Sequence, residues 1–266
     1  MDVFALAEAC IAATSVEDKL ARSSEAAALV AIGDFATETS IEPEPIAQPG
    51  RPPRPRLVPP RELPQRGLGS AEGRAALVHA VAHIEFNAID LAWDAVYRFR
   101  EMPREYYRDW AKVAADETRH FRMLAERLAE MGHAYGDFDA HNGLWEMAVK
   151  TSRSCLERMA LVPRVLEARG LDVTPGMIAR LRDVGDANTI EILKVILGEE
   201  IAHVAAGSRW FAWCCAHEGV DADATFSRLI CEHASGALKP PFNEAARRAA
   251  GFSADELECL MAQSAA

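Results

Sequence analysis

A chain of 266 residues, half of them hydrophobic, is long enough for one large or two small domains with a real core. Few aromatics, few β-branched runs and abundant Ala, Leu, Glu and Arg favour helix over sheet, so the expected class is all-α. A formal net charge of -11 argues against an extended phosphate-binding surface and hence against nucleic acid as a partner.

Residues 2–34 carry apolar positions at Phe4, Leu6, Ala9, Ile11 and Ala12, then at Leu20, Ala27, Leu29 and Val30. This predicts two short helices, with Ser15 as N-cap of the second, forming an N-terminal helical appendage over 1–40. Over 41–69 the composition shifts to proline and arginine, with GRPPRPRLVPPRELPQRG at the centre. Proline removes backbone donors and blocks helix, so this stretch is extended. Leu57, Val58 and Leu63 give it apolar surface to bury, which favours a strap laid on the protein over a disordered linker. Ser70 is the expected N-cap of a helix over 71–100; Pro103 breaks the pattern, and a second helix runs over 104–131 to Gly132, making an antiparallel hairpin. A loop rich in Gly, His and Asp covers 132–142. Helical pattern resumes over 144–169 and stops at Gly170, Thr174-Pro175 opens a short helix to 184, and Gly185-Asp186 opens the longest segment, to 217. The remainder to 266 is looser, with a turn at Lys239-Pro240-Pro241 and a last helix over 253–263. The predicted architecture is a four-helix bundle over 70–218 with a C-terminal helical extension over 219–266.

Cys10, Cys155, Cys214, Cys215, Cys231 and Cys259 form no CxxC pair and lie mostly in apolar helical pattern, as reduced thiols of a cytoplasmic protein do. The N-terminus has no basic n-region and carries Asp2, Glu8 and Glu17, so no signal peptide is expected. No uninterrupted apolar run approaches the ~18 residues that span a bilayer, and no membrane association is expected.

Chemistry is concentrated in Glu-x-x-His, a spacing that sends a carboxylate and an imidazole from neighbouring helical turns towards one point. The chain has three such matches, Glu117/His120, Glu130/His133 and Glu200/His203, and chance alone yields about one. Spacing to other glutamates separates them. Glu85 lies 32 residues before Glu117, and Glu167 lies 33 residues before Glu200, so each half reads Glu, then Glu-x-x-His. The third match has Arg98 upstream and Gly132 inside it, and reads as a helix C-terminus. Six ligands result: Glu85, Glu117, His120, Glu167, Glu200 and His203. One Glu from each of two helices, and Glu-x-x-His from each of two others, is the inventory of ferritin-like di-iron and di-manganese carboxylate bundles. Four carboxylates offset two divalent cations, and oxygen-rich ligation without thiolate favours iron, with manganese as the alternative, over structural zinc. Glu167 is the weakest member, because Glu146 and Glu157 compete at 54 and 43 residues before Glu200. His83 is either a core histidine or a group orienting a ligand, and Asp116 and Glu199, beside proposed ligands, point away from the site and form ion pairs in the simplest reading.

The pieces HIEFNAIDLAWDAVYRF, DETRHF, RMALVPRVLEARGLD and EEIAHVAAGSRWF resemble the bacterial ferritin-like family known as domain of unknown function 455. The resemblance covers most of the chain, including the GRPPRPRLVPPRELPQRGLGS strap. It implies a ferritin-like bundle and a distant similarity to di-iron tRNA hydroxylases, whose third helix carries a Glu-Ala-Arg ligand segment; this favours Glu167 over its rivals. Glu199 departs from the aspartate expected in many relatives but keeps the charge. The family implies fold and metal and leaves the substrate open.

The expected function is a di-metal oxidase or oxygenase acting with dioxygen on a small molecule. It requires an external electron donor, since the chain has no flavin, nicotinamide or iron-sulfur motif. The alternative is metal binding or storage without an organic substrate, although storage needs a shell-forming oligomer that the strap and appendages oppose. A helical scaffold with a vestigial site is the third reading, opposed by the presence of all six ligands.

Overall fold

The computed structural model describes residues 1–233 and 238–264. The protein is all-α: the described residues form helices, joined by loops holding two isolated bridges, Asp2 with Ala36 and Leu57 with Ala140. It divides into two compact units, Met1–Val149 and Lys150–Ala266. Residues 234–237 and 265–266 of the predicted C-terminal extension lie outside the described residues.

The first unit is built on α1 (Val3–Ala12), α2 (Val16–Ala31), α3 (Ala71–Arg98) and α4 (Arg104–Glu130), with α5 (Gly143–Lys150) beginning at its end. Each early helix starts where a short polar side chain can take an orphan amide. Asp2 accepts from Phe4 N at 2.9 Å, Ser15 from Asp18 N at 3.1 Å and Ser70 from Gly73 N at 3.0 Å. Gly132, at φ 78°, ends α4 in the left-handed conformation that a side chain would disfavour. The N-terminal pair is part of this unit's core: α1 packs on α3, α2 packs on α4, and Phe4, Ala7, Ile11, Ala26 and Val30 are buried. Ser23 ties three helices together, accepting from Trp93 Nε1 at 2.8 Å and from Thr118 Oγ1 at 3.0 Å. Helix α3 has the length and hydropathy of a membrane span, but 78% of that window is buried in protein, as in a core helix.

The strap is extended apart from one helical turn at Pro60–Glu62, and it is held differently from the sequence expectation. Leu57 is 39% exposed, and Val58 and Leu63 are only half-buried. Polar contacts do the fastening: Gly50 N donates to Ile11 O at 2.8 Å, Trp145 Nε1 to Ala47 O at 3.0 Å, and Arg51 Nη2 to Asn87 Oδ1 at 3.0 Å. A segment with few buried apolar side chains is anchored through its backbone and an arginine instead.

The second unit contains α6 (Cys155–Leu161), a π-helical stretch (Val162–Glu167), α7 (Ala168–Asp183), α8 (Ala187–Glu218), α9 (Ala222–His233), α10 (Glu244–Ala249) and α11 (Ala254–Ser264). Two boundaries differ from expectation. The helix predicted over 144–169 is interrupted at 151–154, where Ser154 caps a new start by accepting from Glu157 N at 3.1 Å. From there helix runs through Gly170 and Pro175 to Asp183, where a stop and a restart were expected. Pro175 cannot donate to Leu171 O, one turn back, and Asn243 Nδ2 donates to that carbonyl at 3.2 Å in its place. The C-terminal region is also more ordered than its sequence suggested. Buried Arg164 and Arg247 clamp it through Glu256 at 2.6 Å and Asp172 at 2.7 Å.

Candidate metal centre

The α3–α4 hairpin sets the first half of the site. Tyr106 and Tyr107 hydroxyls donate to Ala95 O and Phe99 O at 3.3 and 3.1 Å, fixing how α4 starts against the end of α3. Glu85 and Glu117, each 16 residues from the middle of the connection, then fall level with one another, and His120 follows Glu117 by one turn. His120 Nδ1 lies 3.0 Å from Glu85 Oε2 and 3.3 Å from Glu117 Oε2. One ligand atom from each of the three can be taken so that all lie within 4.8 Å, close enough to share one cation. The three residues are 4%, 1% and 0% exposed, so water cannot screen their charges.

Burial alone would push His120 towards the neutral form, but its hydrogen bonds to Glu117 and then Glu85 outweigh that and raise its pKa to about 11. In the metal-free protein a proton on His120 therefore offsets carboxylate charge within the buried triad. Carboxylate oxygens with an imidazole nitrogen suit iron, manganese and zinc alike.

The second unit carries the matching motif on α8. Glu200 and His203 are both buried, and His203 Nδ1 lies 3.4 Å from Glu200 Oε1. Gly207, one turn on, touches the π-helical stretch: a Cβ there would sit 2.5 Å from Pro163 Cβ and Cγ, so only glycine admits this approach. Pro163 and Gly207 lie 22 residues before and after Gly185, the turn between α7 and α8. By the same count Glu167 and His203, 18 residues before and after it, are level across the helix pair. Glu167 ends the π-helical stretch and is half-buried. Of its rivals, Glu157 is half-buried in the first turn of α6 and Glu146 is exposed on α5.

The bystanders occupy ordinary roles. Glu130 is exposed and paired with Arg127 at 2.7 Å, at the end of α4. Asp116 pairs with Lys112 at 2.7 Å and Arg119 at 3.0 Å. Glu199 is half-buried. His83 is a satisfied core histidine, its Nδ1 2.9 Å from Tyr135 Oη and its Nε2 2.9 Å from His141 O.

Sequence reasoning missed that His83 belongs to a series. His79, His83, Asn87, Asp90 and Asp94 recur every three or four residues along the side of α3 roughly opposite Glu85, and all are buried. The spacing was visible, but polar residues on two opposite faces of one helix read as an exposed face until α1, α2, the strap and the 132–142 loop are seen to cover it.

The family model described as protein of unknown function (DUF455) matches residues 12–258. An uncharacterized protein of Haemophilus influenzae is 44% identical over 216 residues, which cover 79% of this chain and 75% of that one. No solved structure matches the chain.

Proposed function

The chain belongs to the family described as protein of unknown function (DUF455), and we propose that it is a ferritin-like di-metal carboxylate protein that activates dioxygen. The observation that carries this reading is the buried triad of Glu85, Glu117 and His120, within which two carboxylates face one imidazolium. Burying carboxylates costs on the order of several kcal/mol per ion, a cost that a bound divalent cation offsets. In the proposal Glu85, Glu117 and His120 hold one ion and Glu167, Glu200 and His203 the other, as the repeated spacing suggests. Iron fits the donors and manganese is the alternative.

Bound and reduced, such a pair supplies the electrons that dioxygen chemistry needs. The chain's own contribution is separable from it. Glu85 and Glu117 bring negative charge into a dry interior, and His120 must give up its proton for its nitrogen to become a ligand. Burial keeps both carboxylates out of solvent. An external electron donor, a small-molecule substrate and a cytoplasmic setting complete the proposal.

Metal analysis of protein purified without chelator after growth with iron or manganese tests it. About two ions per chain are expected. Near-zero occupancy under both regimes overturns the reading, and metal without oxygen consumption by the reduced protein favours binding or storage over an oxidase.

A further inference from the structure

Two thiols of the second unit face each other, and the metal centre uses neither. The run from α6 through the π-helical stretch into α7 returns along α8 after Gly185, so residues equally far from that turn are level with one another. The close approach of Pro163 and Gly207 fixes this register. Cys155 and Cys214 lie 30 residues before and 29 after Gly185, about two turns beyond that approach. Cys214 is seven residues on from Gly207 and therefore on the same face of α8, the face turned to α6. Helix register thus sets the two side chains opposite each other, and their thiols share a hydrogen bond. Neither is in a disulfide. The pair is asymmetric: Cys155, the first residue of α6, is half-buried, whereas Cys214 is 3% exposed. The neighbouring thiols are placed otherwise. Cys215 is turned about 100° around α8 from Cys214. Cys231 accepts from Gln263 Nε2 at 2.9 Å, and Cys259 lies 3.2 Å from Ser227 Oγ.

We propose that Cys155 and Cys214 are a peroxide-responsive pair that closes to a reversible disulfide between α6 and α8. Side chains already in hydrogen-bond contact need only rotate to bring their sulfurs to the bond length of about 2.05 Å, and the helix approach that Gly207 permits keeps them in reach. Cys155 is the more exposed member and meets the oxidant. The hydrogen bond to Cys155, and then burial, hold the Cys214 thiol well above its ordinary pKa, which suits it to the second step and not the first. In the first step the Cys155 sulfur attacks one oxygen of hydrogen peroxide and the O–O bond breaks. The departing hydroxide takes the thiol proton and leaves as water, and Cys155 becomes a sulfenic acid. The Cys214 sulfur then displaces the sulfenic hydroxyl, which leaves with the Cys214 proton as a second water. Two thiols lose two electrons and one peroxide becomes two waters; thiol reductants reverse the step. The crosslink pins the start of α6 to the end of α8 and closes the segment that carries Glu167, Glu200 and His203. Its chemistry is that of the thiols and stands independently of the metal reading.

The test is peptide mapping by mass spectrometry, without reduction, of the full-length protein before and after treatment with enough hydrogen peroxide to oxidise the exposed Cys231. The expected product is a linked peptide pair holding Cys155 and Cys214, lighter by two hydrogens and separated again by dithiothreitol. It is expected to outweigh Cys155 linked to Cys215 by about tenfold or more. Oxidation of Cys231 without the Cys155–Cys214 link overturns the proposal, as does an equal yield of the link to Cys215. The order of steps is read by dimedone, which traps sulfenic acids. Cys214→Ser is expected to accumulate label on Cys155, and Cys155→Ser to show about tenfold less on Cys214. Equal labelling of the two variants overturns Cys155 as the attacking thiol. The mapping uses the unaltered chain, so it decides the disulfide even where a serine variant fails to fold.

Discussion

His120 is the residue on which most of the chemistry turns. It is the cation of the triad, so His120→Ala removes the imidazolium that both buried carboxylates face. Metal-free protein is expected to lose about 3–5 kcal/mol in urea unfolding, and a loss below about 1 kcal/mol would show the carboxylates to be better solvated than their burial implies. The direction of pH dependence follows from its raised pKa. In the metal-free protein the protonated ring contributes stability fully below its ordinary value of 6.5, and that contribution is lost as pH rises towards about 11. Metal must displace the same proton, so affinity is expected to rise with pH across the neutral range; titrations giving one dissociation constant at pH 6 and pH 8 would exclude His120 as a ligand. At this scale the sequence was informative, because Glu85, Glu117 and His120 were found by spacing alone and lie within reach of one another. Glu167 rests on register instead. Glu167→Ala is expected to lower metal content by about one ion per chain and Glu157→Ala to leave it unchanged, as read by metal analysis of both.

The π-helical stretch is the element that sequence could not supply. A run of 3.6-residue periodicity containing Pro163 looks like ordinary helix, and nothing local shows that one turn widens between Val162 and Glu167. Two features accompany it: Pro163 lacks the amide that would continue the ladder, and Gly207 of α8 leaves room for the proline ring. Gly207→Ala puts a methyl where Pro163 already sits, and the expected cost is about 1–3 kcal/mol, measured by thermal unfolding, with near-neutrality pointing to a looser packing. Gly170 and Pro175 misled in the opposite way. They are reliable helix stops in isolation, but the carbonyl that Pro175 orphans is taken by Asn243, 72 residues beyond Leu171. Asn243→Ala removes that partner and the α10 cap together, and should destabilise by about 1–3 kcal/mol. Caps with purely local geometry, at Ser15 and Ser70, were by contrast legible because the capping side chain and the amide it accepts from are three residues apart.

For the whole molecule, class and helix order were readable from composition and periodicity, whereas the packing of α1 and α2 into the core and the order of the C-terminal region were not. Those depend on which buried charges find partners, such as Lys19 with Asp90 and Arg247 with Asp172, and such pairs leave no local signature. Buried imidazoles contribute to the response to acid. Burial lowers the pKa values of His79 and His83 to about 4, so both are neutral in the folded protein while the unfolded chain binds protons from about 6.5. Their contribution is complete above about 6.5 and is lost as pH falls towards 4, so the melting temperature should drop through that window. His79→Gln is expected to flatten the drop, and an equally steep profile would assign it to other groups.

Everything proposed for the function depends on metal in the buried carboxylate–histidine sets. Anomalous diffraction at the iron and manganese edges, from crystals of protein grown without chelator, reads this directly. Two peaks per chain are expected, one of them coordinated by Glu85, Glu117 and His120; well-ordered side chains at those positions with no anomalous peak beside them would contradict the assignment.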